Sequence, residues 1–115
     1  MTRPANRTEE IRDSGPAPGE RAPRIVAMGG GHGLYATLSA ARRLTPHVTA
    51  IVTVADDGGS SGRLRSEIDV IPPGDLRMAL AALASDSPHG RLWATIIQHR
   101  FGGSGALAGH PVGNL

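Results

Sequence analysis

Four of the five residues from Gly29 to Gly33 are glycine, interrupted only by His32, and they directly follow the apolar run Ile25 to Met28. This junction limits the fold more than any other stretch. A short, unbroken apolar run suits a parallel strand covered on both faces. The glycines allow a tight turn and close approach of backbone to a ligand. A helical pattern follows from about Leu34 to Leu44, with Leu34, Leu38, Ala41 and Leu44 on one face and Arg42 and Arg43 in the last turn. Thr45-Pro46 stops it. Strand, glycine turn and helix in this order aim backbone N–H groups and a positive helix end at an anion.

The segment Val48 to Val54 is rich in β-branched residues and reads as a second strand. Strand, helix and strand within about thirty residues make a βαβ unit, whose two strands run parallel with a right-handed crossover. The fold class expected is therefore α/β, a Rossmann-like parallel sheet with flanking helices. Only two strands are visible, and two parallel strands alone make a poor sheet. The sheet is expected to be incomplete, finished by further chain or by a partner such as a second copy in a homo-oligomer.

Asp56-Asp57-Gly58-Gly59-Ser60-Ser61-Gly62 follows the second strand and reads as an irregular, donor-rich loop, with a short helix from Arg63 to Ile68. Ile71-Pro72-Pro73-Gly74-Asp75 is a rigid connector. Leu76, Ala79, Leu80 and Leu83 mark an amphipathic helix with Asp75 as its N-cap. Asp86 to Gly90 reads as a loop, and Arg91 to Phe101 as a helix that buries Leu92, Trp93, Ile96, Ile97 and Phe101. Gly102 to Gly109 is a glycine-rich loop. Residues 1–23 carry Pro4, Pro16, Pro18 and Pro23 among mixed charges and little apolar bulk, so they are expected to be a disordered tail ahead of a domain at 24–115.

Composition removes several classes of function. The 115 residues contain no cysteine, which excludes disulfides and Cys-ligated zinc. All 12 basic residues are arginine, so no P-loop lysine or Schiff-base lysine is present. The charge is spread evenly along the chain, with a net of only +2, which argues against a nucleic-acid partner. No window is long and apolar enough to insert in a membrane, and the N-terminus lacks the apolar core expected of a signal peptide. A cytoplasmic location is the default.

Gly31-His32-Gly33-Leu34-Tyr35-Ala36 fits G-x-G-x-x-A, a variant of the dinucleotide fingerprint, and Asp56 stands where such folds hold a ribose. On this ground alone an NAD(P)-binding domain is one reading, although dinucleotide folds have no need of the Asp-Asp-Gly-Gly-Ser-Ser-Gly run. His32 is either a phosphate donor or an exposed loop residue. Asp56 and Asp57 suit a magnesium ion, a ribose or a base, and the plain alternative is a solvated turn. Arg63 and Arg65 offer charge to a phosphate, or are helix surface. Arg77 stands in the first turn of a helix, where a cation opposes the dipole. His110 and Asn114 lie in a Gly/Pro-rich segment that suits another phosphate-facing turn.

Three segments are more specific together than any one alone: Met28 to Leu34, Ala50 to Arg65 and Pro72 to Arg77. With them the chain resembles the YvcK-like branch of the YvcK/CofD family, the bacterial gluconeogenesis factors. His99-Arg100-Phe101 and Leu107 to Leu115 are similar to the family's next motif, written with Gly-His and Gly-Asn-Leu. The resemblance covers about Arg24 to Leu115. It implies a UDP-sugar-binding regulator of cell shape and cell-wall synthesis on gluconeogenic carbon sources, with no demonstrable catalysis. The related CofD-like branch implies instead a magnesium-dependent phospholactyl transferase, with Asp56 and Asp57 at the metal.

Carried onto this chain, the resemblance turns Gly29, Gly30, Gly31, His32 and Gly33 toward a diphosphate. It places Asp56 and Asp57 at the ligand or metal, and Asp75, Arg77, His110 and Asn114 along the same cleft. The donor-rich Gly58, Gly59, Ser60 and Ser61 suit wrapping a polar ligand, and Arg63 offers charge to its phosphate. Met78 departs from the pattern, standing where a polar residue is expected. Family members are longer, so the remaining strands and half of the cleft are expected from further chain.

Overall fold

β1, Ile25–Gly29, pairs in parallel with β2, Val48–Val52, in the register Ile25 with Val48 through Gly29 with Val52. The computed structural model describes residues 21–115, so the expected disorder of the tail lies, for residues 1–20, outside the described residues. β2 stops two residues short of the expected Val54 because β1 ends at Gly29. The last rung is the Thr53 N–H donating to the Gly29 carbonyl at 2.8 Å.

α1 begins at Gly31, inside the glycine run, and ends at Leu44. It buries Leu34, Leu38 and Ala41 as its period requires, but Leu44 is 71% exposed because it lies past the edge of the sheet-facing stripe. The basic last turn does more than favour the dipole: Arg42 Nη1 donates to the Ala82 carbonyl at 3.0 Å and ties α1 to the end of a later helix.

α2, Gly59–Glu67, corrects the expectation of an irregular loop. The Asp56 carboxylate accepts from the Gly58 N–H at 3.0 Å and turns the chain into the helix. Ser60 and Ser61 are buried because their small side chains let the helix start lie against its neighbours. A Cβ at Gly62 would collide with the Asp57 carbonyl. The Gly-Ser composition that suggests an irregular loop is a close-packing device.

α3 spans Gly74–Leu83 and α4 spans Pro88–Gln98. α3 buries Ala79, Ala81, Ala82 and also Arg77, whereas Leu80 is 65% exposed. The inward stripe is therefore rotated from the expected one. α4 starts earlier than expected, because Ser87 Oγ accepts from the Gly90 N–H at 3.1 Å and Pro88 occupies the first turn. Leu92 and Trp93, expected to be core, are more than half exposed. The Trp93 indole N–H donates to His89 Nε2 at 3.0 Å along the helix surface. The chain ends in a single 3-10 turn, Val112–Asn114.

The core comprises Ala27, Leu34, Leu38, Ala79 and Ala82, with Tyr35, Val48, Ala50, Val52 and Leu83 packed against it. α1 and α3 thus share one face of the sheet. Strand residues of the other parity, Val26, Met28 and Ile51, are 59%, 74% and 53% exposed. Among the described residues only one face of the sheet is covered, not the two that the apolar run suggested. The two strands place the glycine turn and Thr53 side by side at their C-terminal ends.

Candidate functional site

Four chain segments converge at the C-terminal ends of the strands. The start of α1 supplies Gly31 and His32, and the start of α2 supplies Asp56, Gly58, Gly59, Ser60 and Ser61. The first turns of α3 supply Gly74, Asp75, Arg77 and Met78, while Arg100 and Asn114 come from the final segment. They line one polar cleft of about 350 Å³.

Asp75 does not cap its own helix. α3 starts at Gly74, with Pro73 at its N-cap and no side-chain cap. The Asp75 carboxylate instead crosses to the glycine turn. Its Oδ1 accepts from the Gly31 N–H at 3.0 Å and its Oδ2 from the Thr53 hydroxyl at 3.1 Å. A carboxylate of the protein itself therefore stands where the sequence pattern leads one to expect a ligand anion.

This contact explains two glycines by different means. A Cβ at Gly30 would fall 2.9 Å from Asp75 Cγ and closer still to the carboxylate oxygen and Thr53 Oγ1. Gly30 itself is extended, with φ −156°. A Cβ at Gly31 would meet only Asp75 Oδ1, at an ordinary 3.9 Å, but the residue sits at φ +60°, in the left-handed region. The first site is restricted by contact and the second by conformation.

Behind the cleft, Ser60 Oγ lies 2.6 Å from Nδ1 of buried His110, and Asn114 Nδ2 donates to the same hydroxyl at 3.0 Å. Asn114 Oδ1 is buried without a hydrogen-bond partner among the described residues. Ser61 Oγ accepts from the Gly74 N–H at 3.0 Å, joining the starts of α2 and α3. A Cβ at Gly74 would strike both Ser61 Oγ and the Asp56 carboxylate. His110 is thus a support for Ser60 and does not line the cleft.

Arg77 is 93% buried, counted from its 7% exposure. Its one side-chain hydrogen bond among the described residues is a long contact of 3.4 Å from Nη1 to Gln98 Oε1, and its Nε is buried and unpartnered. Burial lowers the Arg77 pKa; Arg100 pushes in the same direction, and Asp56 opposes both. Arg100 Nη1 donates to the Gly109 carbonyl at 2.7 Å.

Other expected site residues stand elsewhere. Asp57 is exposed and paired with Arg65. Arg63 spans the glycine-rich loop, donating to the carbonyls of Ala108 at 2.7 Å and Ala106 at 3.0 Å. Gly29 ends β1 at φ +147°, and Gly33 has nothing within 4 Å of its Cβ position. Asp56 and Asp57 therefore do not fit a magnesium ion as a pair: one faces the cleft and the other is turned out to Arg65. Among the described residues no group of three or more His, Asp or Glu side chains converges to hold a metal.

Gly74, Met78, Arg100 and the supporting Thr53 were not assigned to the site from sequence. Arg100 lies within the His99-Arg100-Phe101 motif, but a single arginine after a helix carries no signal of its direction.

A parallel βαβ unit with a glycine turn, and a polar cleft across the strand ends, defines a Rossmann-like α/β protein. Residues 25–115 match the family model described as 2-phospho-L-lactate transferase CofD, and the chain belongs to that family. A Mycobacterium tuberculosis (strain ATCC 25618 / H37Rv) relative named "Putative gluconeogenesis factor" is 92% identical over 91 residues, which are 79% of this chain and 27% of the relative. A Listeria monocytogenes protein named "Gluconeogenesis factor" is 48% identical over 96 residues, covering 84% of this chain and 29% of that protein. A crystal structure from Bacillus halodurans, described as a member of the UPF0052 family, superimposes with a TM-score of 0.67 at 48% identity. It covers 80% of this chain and 29% of that one. The chain thus spans between a quarter and a third of the length of these relatives. No helix among the described residues is long and apolar enough to cross a membrane.

Proposed function

We propose that this chain is the nucleotide-sugar-binding part of a gluconeogenesis factor. In this reading it binds a UDP-sugar in the bacterial cytoplasm and regulates cell shape and cell-wall synthesis on gluconeogenic carbon sources, without turning the ligand over. The observation that carries the reading is the convergence of four motif-bearing segments on one cleft at the strand ends. That cleft is lined by the polar residues Ser60 and Asn114, by Asp56 and by the arginines Arg77 and Arg100. Such a mixture suits a ligand that combines phosphate with sugar hydroxyls. The names of the relatives support the gluconeogenesis-factor part of the reading.

A thermal melt of the full chain, alone, with UDP-glucose and with NAD, tests this. A transition raised by UDP-glucose and not by NAD is expected. A rise with NAD alone moves the site to the dinucleotide class.

The family model's description favours a second reading, a phospholactyl transferase. Magnesium-dependent turnover of a nucleotide-activated 2-phospholactate, lost in Asp56→Asn, supports that enzyme. Saturable UDP-glucose binding without such turnover supports the regulator.

A further inference from the structure

The cleft has two walls of opposite character. On the α1 and β2 side, the Asp75 carboxylate already satisfies the Gly31 N–H and the Thr53 hydroxyl. A phosphate arriving at the glycine turn meets that negative charge on the donor it needs. The cleft is also lined by two arginines, Arg77 of α3 and Arg100 of the final segment. Arg77 is buried in the wall, paired only with the neutral Gln98 amide, and its Nε has no partner. Arg100 spends one nitrogen on the Gly109 carbonyl.

The carboxylates that share the cleft are Asp56 and Asp75. Each has an oxygen on a backbone N–H, of Gly58 and Gly31 respectively. Neither makes a salt bridge with Arg77 or Arg100 among the described residues. A buried cation without an ion-pair partner is costly, and an anion seated against it removes that cost.

We propose that Arg77 and Arg100 form the anion subsite of this cleft and take a phosphoryl group of a nucleoside diphosphate, while the glycine turn stays engaged with Asp75. The inference rests on the nucleotide reading above and names where its charge is recognised. Arg77 is a fixed point charge held by the wall. Arg100, on the exposed rim, closes over the second side of the phosphoryl group. Asp56 and Ser60 then face the ligand's hydroxyls. The glycines serve a different purpose from the one their sequence pattern suggests: they let Asp75 approach and fix the geometry of the opposite wall.

The test is isothermal titration of the full chain with UDP-glucose and, separately, inorganic pyrophosphate, at several salt concentrations. Arg100→Gln is the main variant, since Arg100 is exposed, and a thermal melt confirms that it folds. Arg77→Lys is the second, keeping the charge but losing the planar fork. Both probes are expected to bind Arg100→Gln about tenfold more weakly, with a shallower salt dependence, an effect that a purely structural role for Arg100 does not produce. Asp75→Asn, which keeps the acceptor on Gly31, is expected to change affinity less than threefold.

UDP-glucose binding that is unchanged in Arg100→Gln and Arg77→Lys, or tightened tenfold in Asp75→Asn, overturns the subsite and leaves the nucleotide reading standing. Arginine-dependent binding of pyrophosphate without binding of UDP-glucose keeps the subsite and removes the nucleotide. Binding of neither probe by the unaltered chain overturns both.

Discussion

Replacing Gly30 with alanine puts a methyl group where the Asp75 carboxylate and the Thr53 hydroxyl now meet. The backbone tolerates the change, because φ −156° is extended and open to any residue. The cost must come from displaced side chains. The new Cβ lies 2.9 Å from Asp75 Cγ, inside any real contact distance. Asp75 is the end of a flexible side chain and can swing away, so the penalty is the loss of what it holds. That is one charge-assisted bond to the Gly31 N–H and one from the Thr53 hydroxyl, at 3.0 and 3.1 Å. Together they contribute about 2–3 kcal/mol after allowance for partial solvent access.

For a domain of this size such a loss lowers the melting temperature by about 10 °C. The assay is a double-mutant cycle by thermal or urea denaturation, using Gly30→Ala, Asp75→Ala and the pair. If the collision with Asp75 is the cause, Gly30→Ala costs little once Asp75 is gone, and the coupling is at least about 1.5 kcal/mol. Additive costs, or a Gly30→Ala protein as stable as the parent, refute the reasoning.

Further outcomes follow from the same geometry. Gly31→Val is expected to cost about 1–2 kcal/mol from strain at φ +60° and, because Asp75 holds the glycine turn, to weaken nucleotide binding only modestly, read by melt and titration; binding abolished in a protein that still folds returns the phosphate to the glycine turn. His110→Ala leaves Ser60 short of a partner and is expected to lower stability by about 1–3 kcal/mol, measured by urea denaturation. Leu38→Ala, at a fully buried position, is expected to cost about 2–5 kcal/mol in the same assay. Trp93, 52% exposed, is expected to be readily quenched by acrylamide, and a shielded indole contradicts its outward placement.

The elements legible in the sequence were those whose signal is local. Ile25 to Gly33 announced strand and glycine turn, and Leu34, Leu38 and Ala41 fixed the inner face of α1. The β-branched run from Val48 gave the parallel partner. What the sequence obscured depends on contacts between distant segments. Gly59 to Gly62 read as loop because glycine and serine are weak helix formers; their small size is what lets α2 begin against α3. Asp75 looked like an N-cap, since position alone cannot show that its carboxylate reaches a turn 44 residues earlier. Leu92 and Trp93 read as core because an apolar residue does not say which side of a helix its neighbours will cover.

The candidate site divides in the same way. Gly31, His32, Asp56, Gly58, Gly59, Ser60, Ser61, Asp75, Arg77 and Asn114, all named from motifs, share the cleft. Asp57 and Arg63, chosen by the same logic, do not line it, because each has found a partner nearby in Arg65 or the carbonyls of the glycine-rich loop. A charged residue in a motif is assigned by type; its partner decides whether it is free for a ligand.

One cleft, assembled from four segments at the strand ends, is proposed to receive a nucleotide-sugar. Its most direct test is a backbone amide NMR titration of the full chain with UDP-glucose. Saturable shifts are expected, concentrated at Gly31, Gly59 to Ser61, Arg77, Arg100 and Asn114. Saturable shifts confined to the opposite groove around Arg42, Asp86 and Arg91, or no shifts at all, contradict it.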